Sequence, residues 1–184
     1  MRHSLVILIV ALSLAGCATQ PPMERHYAAP PEVAYRLDTG DELRIVVYDE
    51  ATLTNTYTVD DGGRISMPLI GSVRARDRTV RELEQAITAG LAGDYLREPS
   101  VSVEVQTYRP FFILGEVGAP GQYPYVADLT AERAVAIAGG FSPRAVKSHV
   151  RITRRIDGEI VTARVPADYP VDPGDTIEVI ERWF

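Results

Sequence analysis

From Tyr35 onward, apolar residues recur at intervals that spell out short strands and two helices. Leu43-Arg44-Ile45-Val46-Val47-Tyr48 is β-branched and apolar, which predicts a strand entered through a turn at Thr39-Gly40-Asp41. Tyr57-Thr58-Val59 and Arg64-Ile65-Ser66-Met67 flank Asp61-Gly62-Gly63, the pattern of a hairpin with a short glycine loop. Leu69-Ile70-Gly71-Ser72-Val73 continues in extended form. The period then changes. Thr79-Val80-Arg81-Glu82 carries the hydroxyl and the carboxylate of a capping box, and Val80, Leu83, Ala86, Ile87 and Leu91 share one helical face that must cover a sheet. Gly93 ends the helix, and Val101-Ser102-Val103-Glu104-Val105 alternates as a half-buried strand does.

A second unit begins near Phe111. Phe111 to Leu114 reads as a strand, and Ala119-Pro120-Gly121 as a turn with proline and glycine in type II order. Thr130 caps a short helix whose inner face is Ala131, Ala134, Val135 and Ala138, stopped by Gly139-Gly140. Arg151 to Val165 folds back on itself about Asp157-Gly158, and Thr176-Ile177-Glu178-Val179-Ile180 is a last strand. One phrase is repeated. Leu37-Asp38-Thr39-Gly40-Asp41-Glu42-Leu43 matches Val171-Asp172-Pro173-Gly174-Asp175-Thr176-Ile177, each a Gly-Asp turn feeding a strand. Aspartate bonding the backbone ahead makes this a structural turn in both copies. A calcium loop needs more converging oxygens than the two aspartates each turn supplies.

The chain before Tyr35 has a different character. Met1-Arg2-His3 leads into the apolar run Leu5 to Leu14, then Ala15-Gly16 and the single cysteine, Cys17. That is the layout of a secretory signal, and the run is too short for the roughly 20 residues a helix needs to cross a bilayer. Residues 18 to about 34 hold Pro21, Pro22, Pro30 and Pro31 without apolar periodicity, as an extended tether does. The net charge is −6, and loss of Arg2 with the signal makes it more negative, which argues against nucleic acid and against electrostatic adhesion to anionic lipid.

Signals of catalysis are absent. Of three histidines, His3 falls in the signal and His26 in the tether, which leaves His149 with no recognisable nucleophile motif and no histidine metal cluster. The glycine pairs lie in a hairpin and at a helix end, so no phosphate loop is expected, and no metal or cofactor is implied. The expectation is a binding or structural protein, not an enzyme.

Leu14-Ala15-Gly16-Cys17 resembles the lipobox of bacterial lipoproteins, in which the cysteine is acylated and becomes the mature N-terminus. The rest resembles the bacterial polysaccharide biosynthesis/export proteins. One block runs through Tyr35-Arg36-Leu37, Gly40-Asp41-Glu42-Leu43-Arg44-Ile45, Tyr57-Thr58-Val59-Asp60 and Ile65 to Gly71, ending at Arg97-Glu98-Pro99-Ser100-Val101-Ser102-Val103. It is similar to the family's export domain. A second block, Leu114-Gly115-Glu116-Val117, Pro120 to Pro124, Ala136 to Phe141 and Pro173-Gly174-Asp175, is similar to the soluble-ligand-binding β-grasp domain that follows it.

The resemblance implies an α+β fold of two small domains: a signal over residues 1–16, a tether over 17–34, an export domain of mixed sheet with a covering helix over 35–107, and a β-grasp-like domain over 108–184. It further implies a homo-oligomeric ring in the periplasm that docks to an inner-membrane co-polymerase and passes polysaccharide. Ala18 is not the aspartate that commonly retains lipoproteins at the inner membrane, so the anchor is expected in the outer membrane, with the protein facing the periplasm. Large members of the family add a C-terminal amphipathic helix that lines a pore. This sequence ends at Trp183-Phe184 directly after a strand, which implies a short member relying on a separate outer-membrane protein. The alternative is a stand-alone glycan-binding lipoprotein, with Tyr108, Tyr123 and Tyr125 stacking on sugar rings; an enzyme that trims the polymer is a third reading.

Arginines supply the candidate polymer or partner contacts. A two-residue loop at Asp157-Gly158 pairs Ile156 with Glu159, Arg155 with Ile160 and Arg151 with Arg164, which gathers Arg151, Arg155 and Arg164 on one face. Arg74, Arg76 and Arg78 share a side if their segment is extended. Such clusters suit an anionic polymer or a neighbour's carboxylates; a solvated edge that resists aggregation is the alternative.

Overall fold

A computed structural model describes residues 34–156 and 158–183. The signal, Cys17, most of the tether, Asp157 and Phe184 lie outside the described residues. The chain is α+β, with two hydrophobic cores built from successive stretches of sequence.

The first core draws on residues from Leu37 to Val103. Strand β1 (Glu42–Val47) buries Leu43, Ile45 and Val47 and turns Arg44 and Val46 outward, the alternation a strand with one covered face requires. It pairs antiparallel with β2 (Asn55–Thr58) on one side. Strands β3 (Arg64–Met67) and β4 (Gly71–Arg74) form a separate two-stranded sheet. Helix α1 (Val80–Leu91) presents Leu83, Ile87 and Leu91 to this core, and β5 (Val101–Thr107) pairs antiparallel with the other side of β1. The capping box is formed at Thr79: its Oγ1 accepts from the Glu82 amide at 3.2 Å, and Glu82 Oε2 accepts from the Thr79 amide at 2.7 Å. Thr79→Ala is expected to lower unfolding free energy by about 1 kcal/mol. An unchanged urea midpoint would show that α1 is held by packing alone.

Two stretches depart from the sequence expectation. The Asp61-Gly62-Gly63 turn exists, but β2 and β3 belong to different sheets, so no ladder runs from one to the other. Residues Leu69 to Val73 are not continuously extended. Leu69 and Gly71 have φ of 71° and 69°, and the chain reverses there so that β3 pairs with β4, Ile65 opposite Val73. With β1 lying between β2 and β5, β3 finds its partner further along the chain, in β4.

The second core runs from Phe111 to Val179. Strands β6 (Phe111–Gly115) and β7 (Gly121–Tyr123) form a hairpin, and helix α2 (Ala131–Ile137) follows, capped by Thr130 and ended at Gly139-Gly140, both at φ 84°. Gly121 opens β7 without the positive φ of a type II turn; the expected turn chemistry does not apply there. Strands β8 (His149–Ile156) and β9 (Glu159–Pro166) form the hairpin in the register counted from the sequence, Arg151 opposite Arg164. Strand β10 (Thr176–Val179) inserts between the two hairpins, parallel to β6 and antiparallel to β8. The order β7-β6-β10-β8-β9 is that of a β-grasp sheet, and it is here that parallel and antiparallel pairs mix. Ala131, Ala134 and Val135 of α2 join Phe111, Ile113, Val150, Ile152 and Ile177 in the core.

Candidate functional site

The two Gly-Asp turns become one piece of architecture through the segment that links the cores. Asp41 and Asp175, the fourth residues of their turns counting from Asp38 and Asp172, are the two buried charged side chains among the described residues. Asp41 Oδ2 accepts from the Asp38 amide at 2.9 Å, and Asp175 Oδ2 accepts from the Asp172 amide at 2.8 Å, so each carboxylate closes its own turn. Each also meets an arginine. Arg109 donates its amide to Asp41 Oδ1 at 3.0 Å, with its guanidinium 3.4 Å from Oδ2, and Arg154 grips Asp175 through Nε and Nη2 at 2.9 and 2.7 Å.

The linker touches both turns. While the Arg109 amide binds the first, the neighbouring Pro110 carbonyl accepts from the Gly174 amide of the second at 3.1 Å. Gly174 has φ 86°, and a Cβ there would come 2.5 Å from Arg109 Nε, so the glycine lets the guanidinium lie across the second turn. The aspartate oxygens are filled by N–H and O–H donors from the protein itself.

Electrostatics follow this placement. Burial, then the charge of Asp41, push the Tyr35 hydroxyl well above its ordinary pKa, and it stays a donor to Asp41 Oδ2 at 2.7 Å. Burial opposes the charge of Asp38, but hydrogen bonds from the Thr39 amide and Arg76 outweigh it and hold the carboxyl below its ordinary value. That pairing therefore stabilises the fold above the unfolded carboxylate pKa and fades as pH falls through the lowered one. Burial raises Asp172 despite the pull of Arg154, 2.6 Å away.

A cleft of about 330 Å³ opens beside these turns. Its walls include Thr39 from the first turn, Arg109 from the linker, and Thr153, Arg155 and Thr176 from the second sheet. A second cleft of about 430 Å³ lies along β2 and β3, lined by Asn55, Thr56, Thr58 and Ser66, with Asp60 and Arg64. Both offer hydrogen-bonding groups at a solvated surface, and the hydroxyls of the second are spread over too many unremarkable threonines for sequence to mark them.

The candidate arginines are not equivalent. Arg151 bonds Glu178 at 2.6 Å, and Arg164 donates to His149 Nδ1 at 3.2 Å. Arg155 lines the first cleft. The Arg74–Arg78 stretch is extended only to Arg74, so the three side chains do not form the single row an extended segment would give. Arg74 pairs with Asp77, and Arg78 donates to the Arg74 carbonyl. Arg76 turns inward to Asp38 at 2.8 Å and to the Thr39 hydroxyl, fastening the first Gly-Asp turn. The tyrosines are engaged as well. Tyr108 stands edge-on between Tyr35 and Tyr125, with ring centroids 5.0 and 5.4 Å apart, and Tyr123 stacks on Phe111. Arg109 and Arg154, which organise the site, were not singled out from sequence; an arginine two residues after β5 and one within β8 carry no pattern of their own.

Residues 29–106 match the family described as polysaccharide biosynthesis/export protein. That stretch, 78 of the 184 residues, belongs to the family. It is 36% identical over 118 residues to the exopolysaccharide production protein ExoF of Rhizobium meliloti (strain 1021), a match covering 58% of this chain and 28% of ExoF. It is 30% identical over 184 aligned positions to the EPS I polysaccharide export outer membrane protein EpsA of Ralstonia nicotianae, covering 80% of this chain and 48% of EpsA. The EpsA of Ralstonia solanacearum is 32% identical over 147 positions. The chain thus spans about half the length of the first EpsA and less than a third of ExoF.

Proposed function

We propose that this protein is a lipid-anchored component of a capsular or exopolysaccharide export apparatus, held at the outer membrane by acylated Cys17 and facing the periplasm. It forms or supports a ring conduit for polymer and docks to an inner-membrane co-polymerase. The observation that carries this reading is the family match over residues 29–106, supported by one relative named for exopolysaccharide production and two named for polysaccharide export. The role is transport rather than catalysis: the buried carboxylates are saturated by amides, a tyrosine hydroxyl and guanidinium groups, an arrangement that holds turns together. Arg155, at the cleft, is the arginine best placed to meet an anionic polymer. Stand-alone glycan capture through tyrosine stacking is less favoured, because Tyr108 and Tyr123 already pack against other aromatic rings.

Deleting the gene in a polymer-producing host is expected to abolish extracellular polysaccharide while lipid-linked precursor synthesis continues. Cys17→Ser should leave the protein unacylated and reduce export, since two acyl chains are what make such an anchor firm. Normal secretion from the deletion strain would overturn the reading.

A further inference from the structure

Charge is spread unevenly over the second sheet. Along β8, Val150 and Ile152 point into the core, so Arg151, Thr153 and Arg155 lie on the face away from it. Register sets Glu178 and Arg164 beside Arg151, Thr176 beside Thr153, and Ile160 beside Arg155. Among the described strand residues of that face, Glu178 is the lone acid against Arg151, Arg155 and Arg164. In a chain of net charge −6 this is a local excess of positive charge.

The three arginines are not equally occupied. Arg151 bonds Glu178 and Arg164 donates to His149, whereas Arg155 has no hydrogen bond or ion pair to any described residue. Glu159 does not serve it, because it stands opposite Ile156 on the other face. Arg155 lines the cleft of about 330 Å³ together with Thr153, Thr176, Ile160 and Arg109. Arg109 commits Nη1 to Tyr35 and Asp41, and its Nε and Nη2 have no acceptor among the described residues. No buried side-chain nitrogen or oxygen among those residues lacks a partner, so these two are open to solvent. The acids at the cleft are already matched, Asp38 by Arg76 and both Asp172 and Asp175 by Arg154.

The ligand these groups fit carries one negative charge. A guanidinium fork suits a planar carboxylate, with two parallel N–H donors to its two oxygens. A doubly charged phosphate calls for a nest of amides or further cations. Thr153 lies two positions from Arg155 on the same face, about 6.6 Å along the strand, within the span of one sugar ring bearing a carboxylate at one end. The hydroxyls of Thr153 and Thr176 are placed for ring hydroxyls, and Ile160, 72% exposed beside Arg155, for the C–H flank of the ring. The volume is at the small end of the roughly 300–1,000 Å³ of small-molecule sites, enough for one residue of a chain.

We propose that this cleft binds a uronic acid residue, Arg155 holding its carboxylate and Thr153 and Thr176 its hydroxyls. The inference rests on the export reading, which supplies the sugar, and narrows the cargo to acidic polymer.

An NMR titration of the full chain in detergent tests it, with trimers of galacturonate and of glucuronate, their methyl esters, and sodium sulfate at matched ionic strength. At least one acid trimer should bind and move the amide signals of Thr153, Arg155 and Thr176. Its neutral ester should bind about tenfold more weakly or worse, the loss expected for a hydrogen bond to a charged group. Arg155→Gln should weaken the acid trimer by the same factor and leave the ester unchanged, whereas Thr176→Val should weaken both. Arg81→Gln, which removes an exposed arginine of α1, should change neither. Circular dichroism melts establish that each variant is folded. No binding of either acid trimer overturns the proposal, as does acid binding that Arg155→Gln leaves intact or that sulfate displaces as readily as the acid trimer. Each of those results leaves the export reading standing if the deletion strain still loses its extracellular polymer.

Discussion

Replacing Asp41 with alanine is expected to lower the unfolding free energy by about 3–5 kcal/mol, the range for removing one partner of a buried charge pair. The carboxylate is fully buried and receives the Tyr35 hydroxyl and the amides of Asp38 and Arg109. Without it those donors lose their acceptor, and an unsatisfied buried donor costs about 1–3 kcal/mol. Asp175→Ala is expected to cost less, because Asp172 continues to hold Arg154 at 2.6 Å. Urea denaturation of both variants measures the order. Equal losses, or a loss below about 1 kcal/mol for Asp41→Ala, would mean that the linker is held by other contacts.

Gly115→Ala should be costly for a different reason. Gly115 ends β6 opposite Val179 of the parallel strand β10, with φ 84°. A Cβ at that position would come 2.1 Å from the Val179 carbonyl oxygen, which is backbone and has nowhere to go. The left-handed conformation alone costs an alanine about 1–2 kcal/mol. Prising β6 from β10 brings the expected total to about 3 kcal/mol or more. Gly140→Ala is the control, since it has the same φ and nothing within 4 Å of the added carbon. It should show the conformational cost alone, and comparable losses at the two sites would falsify the steric account.

What could be read in the sequence was whatever depended on neighbours along the chain. The capping box at Thr79 and Glu82, the inner face of Ala131, Ala134 and Val135, and the register about Asp157-Gly158 all follow from local spacing, and the structure has them. The repeated Gly-Asp phrase was legible as a turn, but its aspartate bonds an amide three residues back, not the backbone ahead as the sequence suggests. The reversal at Leu69 was not, since leucine at positive φ is a conformation that only the surrounding fold imposes. Nor was the role of Arg76, which reaches Asp38 across 38 positions of sequence. Arg109 illustrates the same gap: its importance lies in standing between two turns that only tertiary structure brings together.

The position of β10 has a consequence for the order in which the protein can fold. Thr176–Val179 lies in the middle of the second sheet, bonded to β6 on one side and β8 on the other. The hairpins β6–β7 and β8–β9 have no pairing with each other until that strand arrives. While the chain emerges from a ribosome, the first core is complete in sequence by Val103, but the second is not until Val179 has emerged. Non-local pairing of this kind is slow to form. The sheet of the second half therefore closes only after the strand that holds its centre has been made.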